Sequence, residues 1–358
     1  MNFETSSIWL SLVVFAVSGA AIWWAGTRLE HYADVLAEKT GMGGAFAGVL
    51  LLAAATSLPE LATTITAVAV LNDPTLAVNN LLGGVAMQTA LLVVADAVKR
   101  DRGRPLTSFH PQFQLLIQGV GLVLLICIVV AGVSAQGEPA PLAVSAWLLL
   151  LLPVYCGIMY LVYFHRNRPR WQPALDESPG PEERTKPTDG GQEDPRSGDD
   201  SQRTAHAWTL FGILSVVVLV GGWFATHAAE AVAKKSGLGS AFIGATLLAL
   251  ATSLPELSTT TSAVRRRHYS LAISNVFGSN AFDIALLVLA DALFRNGTIL
   301  AEAERSMVFV ALIGAMMTCI YLVGMLERVD RTVLGIGWDS AAALAVYAAG
   351  MAVLYTMA

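Results

Sequence analysis

Residues 41–68 read GMGGAFAGVLLLAAATSLPELATTITAV, and residues 237–264 read GLGSAFIGATLLALATSLPELSTTTSAV. The two stretches align without a gap at an offset of 196, with 19 of 28 positions identical. Apolar composition alone does not write TSLPEL twice, so the chain is a duplication. A second matched pair follows one residue out of register. Residues 77–96 are AVNNLLGGVAMQTALLVVAD and residues 272–291 are AISNVFGSNAFDIALLVLAD, with 10 of 20 positions identical. Between the copies lies 165–206, rich in Pro, Gly, Asp, Glu, Arg and Ser, which cannot bury enough apolar surface to fold alone. The expected organisation is a first repeat over 1–164, a disordered linker over 165–206 and a second repeat over 207–358.

Around the repeats, the 358-residue chain is 55% apolar and only 14% charged, with a mean hydropathy of +0.59. Soluble domains carry about 25% charged residues. This composition excludes an ordinary soluble enzyme and a disordered chain. A net charge of −5 with no long basic tract excludes a nucleic-acid binder. Apolar runs fall at 8–26, 43–71, 75–98, 112–135, 139–164, 207–229, 239–264, 270–294, 306–326 and 338–357. They are long and do not alternate, so they read as bilayer-crossing helices rather than barrel strands. The predicted fold is an all-α integral membrane protein of ten transmembrane helices. Met1-Asn2-Phe3-Glu4 carries no basic residue of the kind that opens a cleaved signal, so the first span reads as permanent.

Lys and Arg set the orientation. The loops after spans 1, 3, 5, 7 and 9 hold 18 of these residues, and the other set holds four. The basic set, including the 165–206 loop and Arg265–Arg267, is therefore expected in the cytoplasm, with both termini outside. Five spans per copy is an odd number, so the two copies enter the membrane from opposite sides. Inverted repeats of this kind build many secondary transporters, whose ion sites lie at the midplane between the repeats.

The chemistry sits where the repeats agree. Glu60 and Glu256 each lie deep in an apolar span, where a lone ionisable residue costs ~2.5–3.5 kcal/mol on insertion scales. Thr56 and Ser57 precede Glu60 by four and three residues, as Thr252 and Ser253 precede Glu256. Pro59 and Pro255 lack an N–H and free the carbonyls of Ala55 and Ala251. Hydroxyls, freed carbonyls and a carboxylate form the all-oxygen surroundings that hard cations require. In the second pair, Asp283 follows Ser279 by four residues and Asn280 by three, whereas the first copy has Gly84, Val85 and Gln88 at the matching places. Three carboxylates and one amide are thus expected to converge, and carboxylates crowded in low dielectric repel until cations or protons balance them.

Other residues take blander readings. Asp96 and Asp291, at the ends of their spans, are assigned to helix-end structure. His31 and His227 are ordinary imidazoles, Trp23, Trp24 and Trp223 are interfacial belt residues, and Cys127, Cys156 and Cys319 are apolar filler. No Ser–His–Asp, His-rich metal or phosphate-loop pattern suggests an enzyme, and no cofactor is implied.

The doubled TSLPE segment, with GSNAFD in the second copy, resembles the alpha repeats of the sodium/calcium exchanger family of the cation/Ca²⁺ antiporter superfamily. The resemblance covers both repeat cores, and the ten-span layout suits the whole chain. It implies exchange of Ca²⁺ for Na⁺ by alternating access without ATP, in the plasma or inner membrane of a prokaryotic cell, with cations and the lipid bilayer as partners and a monomer sufficient for transport. Carried over by position, it makes Glu60 and Glu256 central Ca²⁺ ligands, with oxygens from Thr56, Ser57, Thr252 and Ser253. The carbonyls of Ala53 and Ala249 join them, and Ser279, Asp283 and Gln88 complete the metal site. The first copy departs from the family's pattern at Gly84, which lacks a hydroxyl, and Gln88, whose amide is one methylene longer. The coupling ion therefore stays open between Na⁺ and H⁺, with Asp283 leaning away from the proton-coupled branch. A cation channel on the same scaffold is the remaining alternative.

Overall fold

The computed structural model describes residues 7–39, 57–99, 104–108, 113–135, 144–165, 199–328 and 330–357. Nearly all of them are helical. The elements are α1 (Ile8–Lys39), α2 (Leu58–Ile65), α3 (Pro74–Val98), α4 (Phe113–Ser134), α5 (Ala146–Phe164), α6 (Asp199–Ser236), α7 (Gly239–Thr252), α8 (Leu254–Arg265), α9 (Tyr269–Leu293), α10 (Arg305–Glu327) and α11 (Trp338–Met357). A two-residue hairpin, β1 (Thr332–Val333) with β2 (Ile336–Gly337), leads into α11.

Among the described residues eight helices are long and apolar enough to cross a membrane, and α7 with α8 makes a ninth span broken by a 51° bend. The counterpart of that broken span is described only from Ser57 onward, so the expected run 43–71 lies partly outside the described residues, as do Ala53 and Thr56. Two boundaries differ from expectation. Helix α1 continues past residue 26 to Lys39. Helix α6 begins at Asp199, inside the segment assigned to the linker. Both extensions carry polar residues that a hydropathy reading ends on but that a helix emerging from a bilayer tolerates, because every backbone group is paired within the helix.

The breaks follow from proline. Pro255 has no N–H for the Ala251 carbonyl, and the chain opens at Ser253 (φ −84°, ψ 2°) before α8 begins. Pro59 acts likewise in the first copy, after Ser57 at φ −91° and ψ 5°. At Pro74 the ring sits in the first turn of α3, where no N–H is needed, and Asp73 caps the helix by accepting from Leu76 N–H at 2.9 Å.

Helices α3 and α9 form the centre and are mostly buried, whereas α5 and α11 are mostly exposed. The outer helices present Trp9, Val13, Tyr160, Tyr163 and Tyr355 outward, as lipid-facing surfaces do. The halves interlock. Helix α3 packs on α7, and α1 lies along α6. Helix α1 of the first half packs on α8 of the second, while α6 of the second packs on α2 of the first. The α3–α7 crossing is close because Gly83 lies against the backbone of Ala245, and Gly244 stands so that a Cβ would meet the Leu76 carbonyl at 2.8 Å.

Candidate functional site

The two signature glutamates sit at the starts of α2 and α8, and the central helices α3 and α9 face them with the polar side of the second repeat motif. Glu60 and Glu256 are 1% exposed, and Asp283 and Gln88 are wholly buried. Glu60 interacts electrostatically with Glu256 and Asp283, and the Thr252 side chain stands beside it. Neither oxygen of Glu60 has a hydrogen-bond partner among the described residues, and the same holds for Asp283 Oδ1 and the buried hydroxyls of Ser57 and Ser253. Unpaired polar atoms this deep are costly unless something else occupies them.

Among the described residues Lys99 is the only buried Lys or Arg, and it bonds Asp96, not the site. Carboxylates crowded in low dielectric repel one another, which favours binding of a cation or a proton.

Among the described residues no three His, Cys, Asp or Glu side chains are grouped to hold one metal ion. Gln88 Nε2 donates to Asp283 Oδ2 at 3.1 Å, and its Oε1 accepts from Ser279 Oγ at 2.6 Å. The amide thus ties the Asp283 side of the site to itself. The Ala249 carbonyl accepts from the Ser253 N–H at 3.0 Å and the Thr252 hydroxyl at 3.3 Å, at the break between α7 and α8.

A second set of residues holds the glutamate helices and was missed in the sequence. Thr63 Oγ1 donates to the Glu60 carbonyl at 3.0 Å, and Asn80 Nδ2 of α3 donates to Thr63 Oγ1 at 3.0 Å. In the other half Thr259 Oγ1 donates to the Glu256 carbonyl at 2.9 Å, and Asn275 Nδ2 of α9 donates to Thr259 Oγ1 at 3.2 Å. Outer groups of this kind orient the ligating ones. Their signal was present: both the Thr and the Asn are identical between the copies. Asn280 has no such twin. It reaches across to Thr89 Oγ1 at 3.1 Å, where the first copy has Val85.

Asp96 and Asp291 are structural, and both are buried more deeply than a helix end at the interface requires. Asp291 accepts from the N–H groups of Ser145 and Ile299, each at 2.7 Å. Asp96 accepts from those of Leu106 at 2.9 Å and Gly337 at 2.5 Å, and from Lys99. The three cysteines are free thiols on exposed helix faces. Trp23 and Trp24 are half exposed, with the Arg28 guanidinium 4.4 Å over the Trp24 ring.

Helices long enough to span a bilayer, one of them broken next to a buried carboxylate, define a multi-pass membrane protein with buried acids in its interior. Comparison with known proteins narrows this. The family described as "Sodium/calcium exchanger protein" matches residues 10–164 and 206–356, and the chain belongs to that family. CaxA of Alkalimonas amylolytica is 25% identical over 325 residues, 90% of this chain and 93% of its own length. The solved H⁺/Ca²⁺ exchanger CAX superposes with a TM-score of 0.64 at 13% identity, over 97% of this chain and 86% of CAX. The sodium-calcium exchanger NCX_Mj superposes at 0.57 with 16% identity, over 97% of this chain and 99% of its own. One fold therefore carries exchangers of both couplings, and the likeness does not choose between them.

Proposed function

We propose that the chain is a secondary active antiporter that exchanges Ca²⁺ for Na⁺ across the cell membrane by alternating access. The observation that carries this reading is that three carboxylates, Glu60, Glu256 and Asp283, are all buried, with Glu60 in electrostatic contact with the other two. Membership of the exchanger family supports the ion class. In this reading Glu60 and Glu256 are the central Ca²⁺ ligands, and Ser57, Thr252, Ser253 and the Ala249 carbonyl supply neutral oxygens. Thr56 and Ala53 complete the first half. Asp283 and Ser279 add the remaining ligands. Ca²⁺ takes six to eight oxygens, and two carboxylates with hydroxyls and carbonyls meet that need once the halves close on the ion.

The ten-span, inverted five-plus-five topology, with termini outside and 165–206 in the cytoplasm, belongs to the same proposal. The crossed packing of α1 on α8 and α6 on α2 supports it. So does an acid-lined recess of 280 Å³ where Asp73 and Glu304 meet Ser240, at the end assigned to the outside, which would concentrate cations. Helices α1 and α6 share a small apolar cluster of their own, Ala25 and Leu29 with Leu214 and Val218. They are the pair that moves across the site to switch access. One monomer contains both halves and suffices.

The second reading, a Ca²⁺/H⁺ antiporter, is favoured by the Gln88–Asp283 bond, which leaves fewer oxygens for a second metal ion. Radiolabelled Ca²⁺ uptake into proteoliposomes separates the two. Uptake that requires internal Na⁺ and disappears in Glu256→Gln establishes Na⁺/Ca²⁺ exchange. Uptake driven by a pH gradient alone assigns H⁺. No Ca²⁺ movement under either gradient overturns the antiport reading.

A further inference from the structure

Position 88 is where the two copies differ most in chemistry at the site. The second copy places a hydroxyl and a carboxylate, Ser279 and Asp283, one helical turn apart on α9. The first copy faces them from α3 with Gly84 and Gln88. The Gln88 amide spans the gap: its N–H points at Asp283 Oδ2 and its carbonyl receives the Ser279 hydroxyl. An ionised carboxylate only accepts, and the NH₂ end of the amide is the end that faces Asp283 here. A metal cation placed there would instead need the amide oxygen and the carboxylate oxygen turned toward it together. As it stands, the amide offers Asp283 a fixed partial positive charge in the place of an ion.

Gly84 shows the same position from the other side. A Cβ built on it would lie 3.6 Å from Asp283 Oδ2, in ordinary contact and with nothing nearer. A serine there fits, and its hydroxyl would reach the carboxylate. Glycine leaves that volume to the Gln88 amide. The Oδ1 atom of Asp283, which the amide does not touch, has no hydrogen-bond partner among the described residues.

We propose that Gln88 is a specificity-determining residue whose carboxamide fills the place between Ser279 and Asp283 that a cation would otherwise take, so that this chain binds fewer coupling cations per Ca²⁺ than a chain with a shorter polar residue at 88. The inference rests on the antiport reading for the word coupling, but the occupancy of the position is decided by binding alone. Shortening the side chain by one methylene withdraws the amide from both partners and frees two oxygens. Gly84→Ser then adds a third.

The test counts radiolabelled Na⁺ bound at saturation to the detergent-solubilised full-length chain, and follows Na⁺ competition against radiolabelled Ca²⁺. Gln88→Asn, alone and with Gly84→Ser, is expected to bind about one more Na⁺ per chain and to steepen the competition curve, since the Hill coefficient is bounded by the number of sites. The isosteric Gln88→Glu keeps the length, should Gln88→Asn fail to fold. It sets a second carboxylate against Asp283 and is expected to raise Na⁺ uptake likewise. Unchanged Na⁺ stoichiometry and unchanged competition in folded variants overturn the proposal. Failure of proteoliposome exchange with the Na⁺ counts rising as expected would fell the antiport reading and leave this one standing.

Discussion

Replacing Lys99 with methionine removes the one buried Lys or Arg side chain among the described residues and leaves a buried acidic cluster without its cation. Lys99 and Asp96 are both fully buried and form an ion pair at the end of α3. Around them the Thr107 hydroxyl donates to Asp339 Oδ2 at 2.5 Å, and the Ser340 N–H donates to Asp339 Oδ1 at 2.8 Å. Asp339 is itself wholly buried, so the cluster holds two acids and one base. Removing one member of a buried ion pair costs ~3–5 kcal/mol, because the other charge stays behind without compensation. Asp96 keeps its bonds from the N–H groups of Leu106 and Gly337, and methionine preserves most of the apolar stem. The expected loss is therefore at the lower end, about 3 kcal/mol. In a chain of this length that moves the melting temperature by roughly 3–6 °C. The comparison variant is Asp330→Asn, which breaks the half-exposed pair with Arg104 at 3.5 Å and should cost less than about 1 kcal/mol. Thermal unfolding of the purified chain, followed by tryptophan fluorescence, reads both. The double variant Lys99→Met/Asp96→Asn should cost less than the sum of its parts, because the two residues share one interaction. If Lys99→Met melts with Asp330→Asn, the cluster does not hold the end of α3 to the β1–β2 hairpin and α11.

Glu60→Gln and Glu256→Gln should each weaken equilibrium Ca²⁺ binding by about 100-fold or more, since each removes a whole ligand charge where even outer-group losses cost 10–100-fold; binding by either variant at wild-type affinity would remove that glutamate from the site. Lowering the pH should weaken Ca²⁺ binding, because protons and metal compete for the same carboxylate oxygens; titrations at a series of pH values check the sign, and tighter binding in acid would contradict it. Gly26→Ala and Gly222→Ala should slow exchange about tenfold or more while Ca²⁺ binding persists, because overpacking costs ~1–3 kcal/mol. A Cβ on Gly26 would meet Pro255 at 2.6 Å and one on Gly222 would meet Ala62 at 2.6 Å, at matched places where α1 and α6 cross the other half. Asn80→Ala should cost about 1 kcal/mol of stability through its lost bond to Thr63; an unchanged melting temperature would show that Thr63 holds Glu60 without it.

The large features were legible because they are written in period and repetition. A run such as 75–98 can only be a buried helix once both its flanks turn polar, and α3 occupies it within a residue or two. TSLPE announced the break because proline acts on the backbone in any context, and the 51° bend before α8 follows. The ends of α1 and α6 were not legible, because Asp199–His206 and Thr27–Lys39 contain nothing that forbids a helix and hydropathy reports only where the membrane stops. Gln88 marks the deeper limit. Its place was found by aligning the copies, but alignment assigns equivalence and not direction. An amide carries a donor and an acceptor on one carbon, and which end meets Asp283 depends on Ser279, almost 200 residues away in the chain. The same alignment that made Gln88 a ligand by equivalence therefore placed the group that competes with the ligand. A duplicated site keeps its symmetry in the outer residues, where Thr63 and Asn80 match Thr259 and Asn275, and loses it along one face of α3 and α9, most sharply where Gln88 faces Asp283. That is the position at which the two halves can differ in the ion they accept while keeping the helices that carry it.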